Sequence, residues 1–270
     1  MQKISLFYKD FPLIILLEVI FTDILYIVVP CYNEEECLPR TAPVFLKKLD
    51  QLMNEGKIAL QSRILFVNDG SADRTWDIIR SLHEQDERCC GLSLSPNRGH
   101  QNAVMAGLME AKERADYTIT IDADLQDDIN AIDKMVDEYI KGAHIVYGVR
   151  DSRATDTFLK RFTARGYYAL MNIFGAKLVF DHADFRLMDR EALEKLSHYH
   201  GDDLFLRGLA TRLGYPIIKV SYDRSARTAG ESKYTLKKML KLAASGLSCG
   251  RMKPQDTPRP IDLHINERLF

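Results

Sequence analysis

Long apolar runs are missing from this 270-residue sequence. No stretch reaches about 18 uninterrupted apolar residues, the length a spanning helix needs. The nearest, Phe11 to Phe21, is interrupted by Glu18. Paired cysteines are missing too. The five present, Cys31, Cys37, Cys89, Cys90 and Cys249, are odd in number, irregular in spacing and free of any CxxC pair. That argues against a zinc site or a redox dithiol, and for free thiols in a reducing cytoplasm. Neither charge sign is in excess: the formal net charge is −1. No basic field marks a nucleic-acid partner, so any anion must be bound by local clusters. No GxGxxG follows the first apolar segment, which disfavours a dinucleotide oxidoreductase. There is no internal repeat and no low-complexity tract.

What is present is an alternation of two periodicities. Ile24 to Val29 (ILYIVV) is a β-branched apolar run ended by Pro30, the pattern of a strand buried on both faces. A helix is predicted from Glu34 to about Asn54, with a proline-containing start. Arg63 to Val67 reads as a second strand and Arg74 to Gln85 as a helix capped by Ser71 or Asp73. The series continues with a strand over Gly91–Leu94, a helix over Gln101–Arg114, a strand over Tyr117–Ile121, a helix over Ile129–Lys141 and a strand over His144–Tyr147. Strands alternating with helices through short connections specify an α/β sheet built from crossover units. In such sheets ligands bind beyond the carboxyl ends of the strands, and each polar cluster here directly follows a strand.

Beyond Asp151 the texture turns basic and aromatic, and Asp202 to Leu213 reads as a further helix. Leu236 to Leu247 is amphipathic, with Lys237, Lys238 and Lys241 on its polar side, and suits a membrane surface. Lys3 and Lys9 precede the first apolar run as in a signal peptide, but no small-residue cleavage site follows. The expected organisation is therefore an N-terminal extension (1–22), a catalytic domain (23–235), an amphipathic membrane-surface helix (236–248) and a polar, disordered tail (249–270).

Three clusters carry chemistry. Asp122-Ala123-Asp124 ends the strand YTITI. Adjacent carboxylates repel unless a cation sits by them, and a hard divalent ion takes one or two carboxylates plus phosphate oxygens. The alternative is a solvated loop or helix cap. Asp69, in Asn68-Asp69-Gly70-Ser71-Ala72-Asp73, stands at the tip of the second strand, where a carboxylate can accept from a base or a ribose hydroxyl. Gly70 and Asp73 fit a turn with an N-cap equally well. Pro30-Cys31-Tyr32-Asn33-Glu34-Glu35 offers an aromatic face and a carboxylate for the floor of a base pocket, or only an acidic helix start.

In this order VVPCYNEEE, VNDGSADRT, NRGHQNAVMAG and IDADLQDD resemble family-two glycosyltransferases of the GT-A fold. YGVRDSR, HADFRLMDR and RTAGESKYTLKKML narrow the resemblance to the polyprenyl-phosphate sugar transferases: dolichyl-phosphate mannose synthases and bacterial undecaprenyl-phosphate glucosyltransferases. It spans about Asp23 to Leu247. It implies a mostly parallel central sheet flanked by helices, and an inverting, metal-dependent hexosyl transfer using Mg²⁺ or Mn²⁺. The implied partners are a nucleotide diphosphate sugar (UDP-sugar preferred, GDP-mannose as the alternative), a polyprenyl phosphate and the cytoplasmic face of a membrane. A homo-oligomer is compatible with the sequence.

By the same resemblance Pro30, Tyr32, Glu34, Asp69 and Asp122 match nucleotide contacts. Asp122, Asp124 and Gln126 match the metal and diphosphate site. Arg150, Arg153, Arg227, Ser232 and Lys233 match the acceptor and phosphate side, and arginine suits it because its fork pairs with phosphate oxygens. Asp184, in HADFR, is the remaining catalytic candidate with Asp122, Asp124 and Arg227. It is either a base or orienter at the acceptor, or a structural partner of Arg186 or Arg190. His100 and His182 receive no role. Relatives of this type continue into transmembrane helices where this sequence runs into polar residues, so a peripheral or truncated form is expected.

Overall fold

The computed structural model describes residues 22–150, 182–199, 206–223, 253–258 and 265–270. The expectations for residues 1–21, the basic segment after Asp151, Arg153, Arg227, Ser232, Lys233 and the amphipathic helix 236–248 lie outside the described residues.

Among the described residues eight strands form one sheet: β1 Leu25–Cys31, β2 Arg63–Asp69, β3 Cys89–Leu94, β4 Tyr117–Thr120, β5 Ile145–Arg150, β6 His182–Asp189, β7 Ile218–Tyr222 and β8 Ile265–Leu269. Their spatial order is β7-β5-β6-β4-β1-β2-β3-β8. Neighbouring pairs are parallel except where β6 runs between β4 and β5 and where β8 joins β3. Among the described residues six helices accompany the sheet: α1 Leu38–Asn54, α2 Thr75–Gln85, α3 His100–Lys112, α4 Ala131–Ile140, α5 Arg190–Ser197 and α6 Leu206–Ala210.

The alternation of side chains along a strand divides the core into two layers. From β1, Leu25, Ile27, Val29 and Cys31 enter one layer, with Phe45 and Leu49 of α1 and Ile132 and Met135 of α4. Tyr26 and Val28 enter the other, against Ala103, Val104 and Ala106 of α3 and Leu193 of α5. Every residue of β1 is buried, as a continuous apolar run requires. Burying each such aliphatic side chain contributes roughly 1.5–3 kcal/mol. Helix α3 approaches the sheet closely through Gly107, where an added Cβ would lie 2.5 Å from Val28 Cγ1 and 2.7 Å from Val67 Cγ2.

The sequence expectation fails in the tail. Residues 265–269 are not disordered but pair antiparallel with β3. Glu267 accepts from Trp76 Nε1 (3.0 Å) and from Arg80 Nη2 (2.7 Å), and Arg268 Nε donates to Glu110 (3.0 Å). Polar composition concealed this strand because an edge strand is half solvated and keeps its charges. Leu269 packs against the α1–α2 layer. Gln255 is also fastened, its N–H donating to His198 O at 2.9 Å. The helix expected over Asp202–Leu213 is observed as Leu206–Ala210 among the described residues.

Strand order reverses at β1: β2 and β3 lie on one side of it and β4 on the other. A crevice opens at such a switch point, beyond the carboxyl ends of the strands.

Candidate active site

Four loops leave the carboxyl ends of β1, β2, β3 and β4, and hydrogen bonds lock them into one rim. The loop after β1 grips the loop after β2. Asn33, in the left-handed region at φ 55°, donates its N–H to Ser71 Oγ (3.0 Å) and accepts from Ala72 N at its Oδ1 (3.0 Å). Glu34 N donates to Thr75 Oγ1 (2.8 Å) and Glu35 N to Asp73 Oδ2 (3.2 Å). Asp73 also takes Thr75 N at 3.0 Å, but neither it nor Ser71 caps α2 as expected: the N-cap position falls on Arg74 and has no side-chain cap bond, so Asp73 closes the turn ahead of the helix instead. The motifs NEE and DGSADRT, separate in sequence, are one interlocked unit.

Asp69, at the end of β2, fixes the third loop. Its two carboxylate oxygens accept from Arg98 N (2.7 Å) and Gly99 N (2.9 Å), just ahead of α3. Asn97 Nδ2 donates to Asp69 O at 2.9 Å. Gly70 is required at the same junction. It holds φ 60°, and a Cβ there would sit 2.6 Å from Asn97 N. Burial pushes the Asp69 carboxyl above its ordinary value, and the two amide bonds oppose that rise.

After β4 the chain turns through Asp122, Ala123 and Asp124. Asp124 Oδ1 accepts from Gln126 N (3.1 Å), and the Cys37 thiol donates to Ala123 O (3.3 Å). Leu125 occupies the left-handed region at φ 49°, which disfavours a residue with a Cβ. Burial raises the Asp122 carboxyl; His100 lowers it, while Asp184, Asp127 and Asp124 raise it further. Negative charge is thus concentrated around one partly buried carboxyl group. Burial also drives the Cys37 thiol up to about 11, so it stays protonated and is no nucleophile at neutral pH.

These groups line one cleft of about 520 Å³. Pro30, Tyr32, Glu34, Asp69, Asp122 and Asp124, all picked from the sequence, are on its wall. Tyr32 is exposed at the cleft. Gln126 is not on the wall; it is buried and reaches Asp124 through its backbone N–H. Arg150 is not on the wall either: its Nε and Nη2 donate to Asp127 Oδ1 at 3.1 and 3.0 Å. Asp184 is buried on β6, and its Oδ2 lies 3.0 Å from His100 Nε2 and 3.2 Å from Gln101 Nε2. The proposed structural partner Arg190 is turned away, onto Ala115 O (2.8 Å).

Among the residues of the wall to which sequence reasoning gave no role are Asn97, Gly99 and His100. Their signal was the segment NRGH immediately after an apolar strand, the same position that marked the other clusters. A lone histidine carried no spacing that pointed to a partner 84 residues away.

Residues 26–197 match the family described as Glycosyl transferase family 2. An uncharacterised glycosyltransferase of Bacillus subtilis, YkoT, is 50% identical over 231 residues, covering 86% of this chain and 68% of that protein. The bactoprenol glucosyl transferase of Shigella phage SfV is 37% identical over 223 residues, covering 82% and 70%. Among solved structures, glucosyl-3-phosphoglycerate synthase from Mycobacterium tuberculosis, in complex with Mn²⁺, uridine-diphosphate-glucose and phosphoglyceric acid, superposes with a TM-score of 0.56 at 17% identity. That match covers 86% of this chain and 81% of the other. The likeness to that structure is one of fold. The mostly parallel sheet, the rim of loops at its switch point and the match across residues 26–197 make this chain a glycosyltransferase of the GT-A fold, belonging to glycosyl transferase family 2.

Proposed function

We propose that the protein transfers a hexose from a nucleotide diphosphate sugar, with UDP as the favoured carrier, to a polyprenyl phosphate at the cytoplasmic face of a membrane, with inversion at the anomeric carbon. The observation that carries the donor side is the convergence of Pro30, Tyr32, Glu34, Asp69, Asp122 and Asp124 on one cleft. The lipid acceptor is supported by the 37% identity to a bactoprenol glucosyl transferase, and the UDP carrier by the likeness to a UDP-glucose-bound neighbour. GDP-mannose is the alternative donor. Among the described residues no helix is long and apolar enough to cross a membrane. Contact with lipid is assigned to the amphipathic segment 236–248.

The residues present fit a divalent cation. Asp122 and Asp124 supply hard oxygen donors, and burial together with the Asp184, Asp127 and Asp124 carboxylates makes the charged form of Asp122 costly, a cost that a cation would offset. Among the described residues no group of three or more acidic, histidine or cysteine side chains closes on one point. A hard ion such as Mg²⁺ or Mn²⁺ would take the two carboxylates and complete its shell with substrate phosphates and water. When bound there, the ion neutralises charge on the departing diphosphate.

The chain's own residues do the rest. Tyr32, Pro30 and Glu34 hold the nucleoside end, with Asp69 bracing the loop that closes the pocket. An oxygen of the acceptor phosphate forms the new bond to the anomeric carbon. The bond from that carbon to the diphosphate oxygen breaks, and its electron pair leaves with the diphosphate. A phosphate acceptor is already anionic, so no base is needed, and positioning supplies most of the rate. Arg153, Arg227, Ser232 and Lys233 are assigned to the phosphates, and Asp184 to the acceptor side. One observation favours a second reading: Asp184 is buried and held by a histidine, an arrangement suited to a base for a hydroxyl acceptor. A panel of hydroxyl and phosphate acceptors separates the two.

The direct test is Asp124→Ala. Transfer is expected to fall at least a hundredfold while the melting temperature stays within a few degrees. Parent turnover in this variant, or in parent protein treated with EDTA, would remove the acidic pair from the mechanism.

A further inference from the structure

The first turn of α3 faces the cleft on one side and β6 on the other. His100 belongs to both: it lines the cleft, and its Nε2 lies 3.0 Å from Asp184 Oδ2. An ionised carboxylate only accepts, so Nε2 carries the hydrogen in this bond. Gln101, the next residue, donates Nε2 to the same Oδ2 at 3.2 Å. Its Oε1 accepts from Leu206 N at 3.0 Å, where α6 begins. Two consecutive side chains of α3 thus meet β6 at one carboxylate oxygen, and the second of them, Gln101, also ties in α6. The side chain of Asp184 is 6% exposed and that of His100 42%. A buried carboxylate needs such donors, and two of them on one oxygen also fix its rotation.

We infer that His100 and Gln101 are positioning residues that hold Asp184 at the acceptor side of the transferase cleft. The inference rests on the reading of Asp184 as an acceptor-side residue of this reaction. The side-chain amide of Gln101 sets the distance between β6 and the start of α6, and the imidazole of His100 carries the carboxylate's orientation to the cleft wall. Displacing a reacting group by about 1 Å is enough to reduce the rate of such a reaction about a hundredfold. Loosening this clamp therefore reduces turnover without touching the nucleoside contacts.

The experiment uses the full chain in membranes or detergent, with UDP-hexose and polyprenyl phosphate. Four variants are compared: His100→Gln, His100→Leu, Asp184→Asn, and His100→Leu combined with Asp184→Asn. Gln keeps a hydrogen-bond donor and Leu does not, while their sizes are similar, so a purely packing role affects both alike. His100→Leu is expected to lower kcat about 10- to 100-fold with the donor KM within twofold of the parent, and His100→Gln to restore most of the loss. In the Asp184→Asn background, His100→Leu is expected to change kcat less than twofold, because the partner it serves is already altered. Equal rates for the Gln and Leu variants, or fully multiplicative losses in the double variant, would overturn the inference and leave the role of Asp184 standing. Parent kcat for Asp184→Asn would overturn both.

Discussion

At the residue scale, the cleft depends on a few positions where backbone approaches backbone. Gly70 is the sharpest. Its positive φ and the 2.6 Å gap to Asn97 N leave no room for a Cβ. Gly70→Ala is expected to destabilise the protein by about 2 kcal/mol, read as a lowered melting temperature. Because Asn97 and Gly99 line the cleft, nucleotide affinity falls in the same variant. Unchanged melting would show that the loops after β2 and β3 are not clamped as described. Asp69 illustrates a second point. Its sequence position suggested a ligand contact, and the structure shows its oxygens bonded to two backbone amides while the residue still lines the cleft. Its fold-building work is visible; a contact to ribose or base belongs to the proposed donor site.

At the element scale, the parallel half of the sheet was legible because β1 to β5 are buried apolar runs, each ended by a polar cluster. The ends moved by a few residues: β2 runs on to Asp69 and β5 to Arg150. The strands that escaped are β6, β7 and β8. β6 carries Asp184 and Arg186, both buried, and no apolar run marks a strand whose polar groups are paired inside the protein. β8 is a charged edge. Nor could the order of elements along the chain reveal that β6 inserts between β4 and β5. Element junctions also carry charge. At the C-terminus of α2, Asp86 accepts from Arg88 N (2.9 Å), Nε (2.9 Å) and Nη2 (2.7 Å), while the same guanidinium pairs with Asp50 of α1. The Arg88 bonds hold the Asp86 carboxyl below its ordinary value of 3.8. The folded value lies under the unfolded one, so this stabilisation is fully present above that ordinary value and is lost as pH falls through the lowered one. Asp86→Asn is therefore expected to be less stable than the parent by about 1 kcal/mol at neutral pH, with the difference shrinking below about pH 4. Denaturant midpoints measured across pH check it; a gap that persists in acid would contradict it.

At the scale of the whole molecule, the side of the cleft proposed for the donor was legible in the sequence and the side proposed for the acceptor only partly. The residues proposed for the donor stand at the ends of β1, β2 and β4, and a parallel sheet gathers the ends of its strands on one edge. His100 and Asp184 are 84 residues apart and meet only because α3 packs across the sheet next to β6. Family membership settles that the chain is a glycosyltransferase; sugar, carrier and acceptor turn on contacts of single hydroxyls and phosphates. The measurement closest to the central claim is transfer of labelled hexose from a panel of nucleotide sugars to polyprenyl phosphate by the full chain. It is run with Mg²⁺ or Mn²⁺, after EDTA, and after the metal is restored. The account predicts label in the lipid fraction from a UDP-sugar, its loss on chelation and its return with the ion. Equal transfer in EDTA, or lipid left unlabelled by every donor while hydroxyl acceptors are glycosylated, would contradict it.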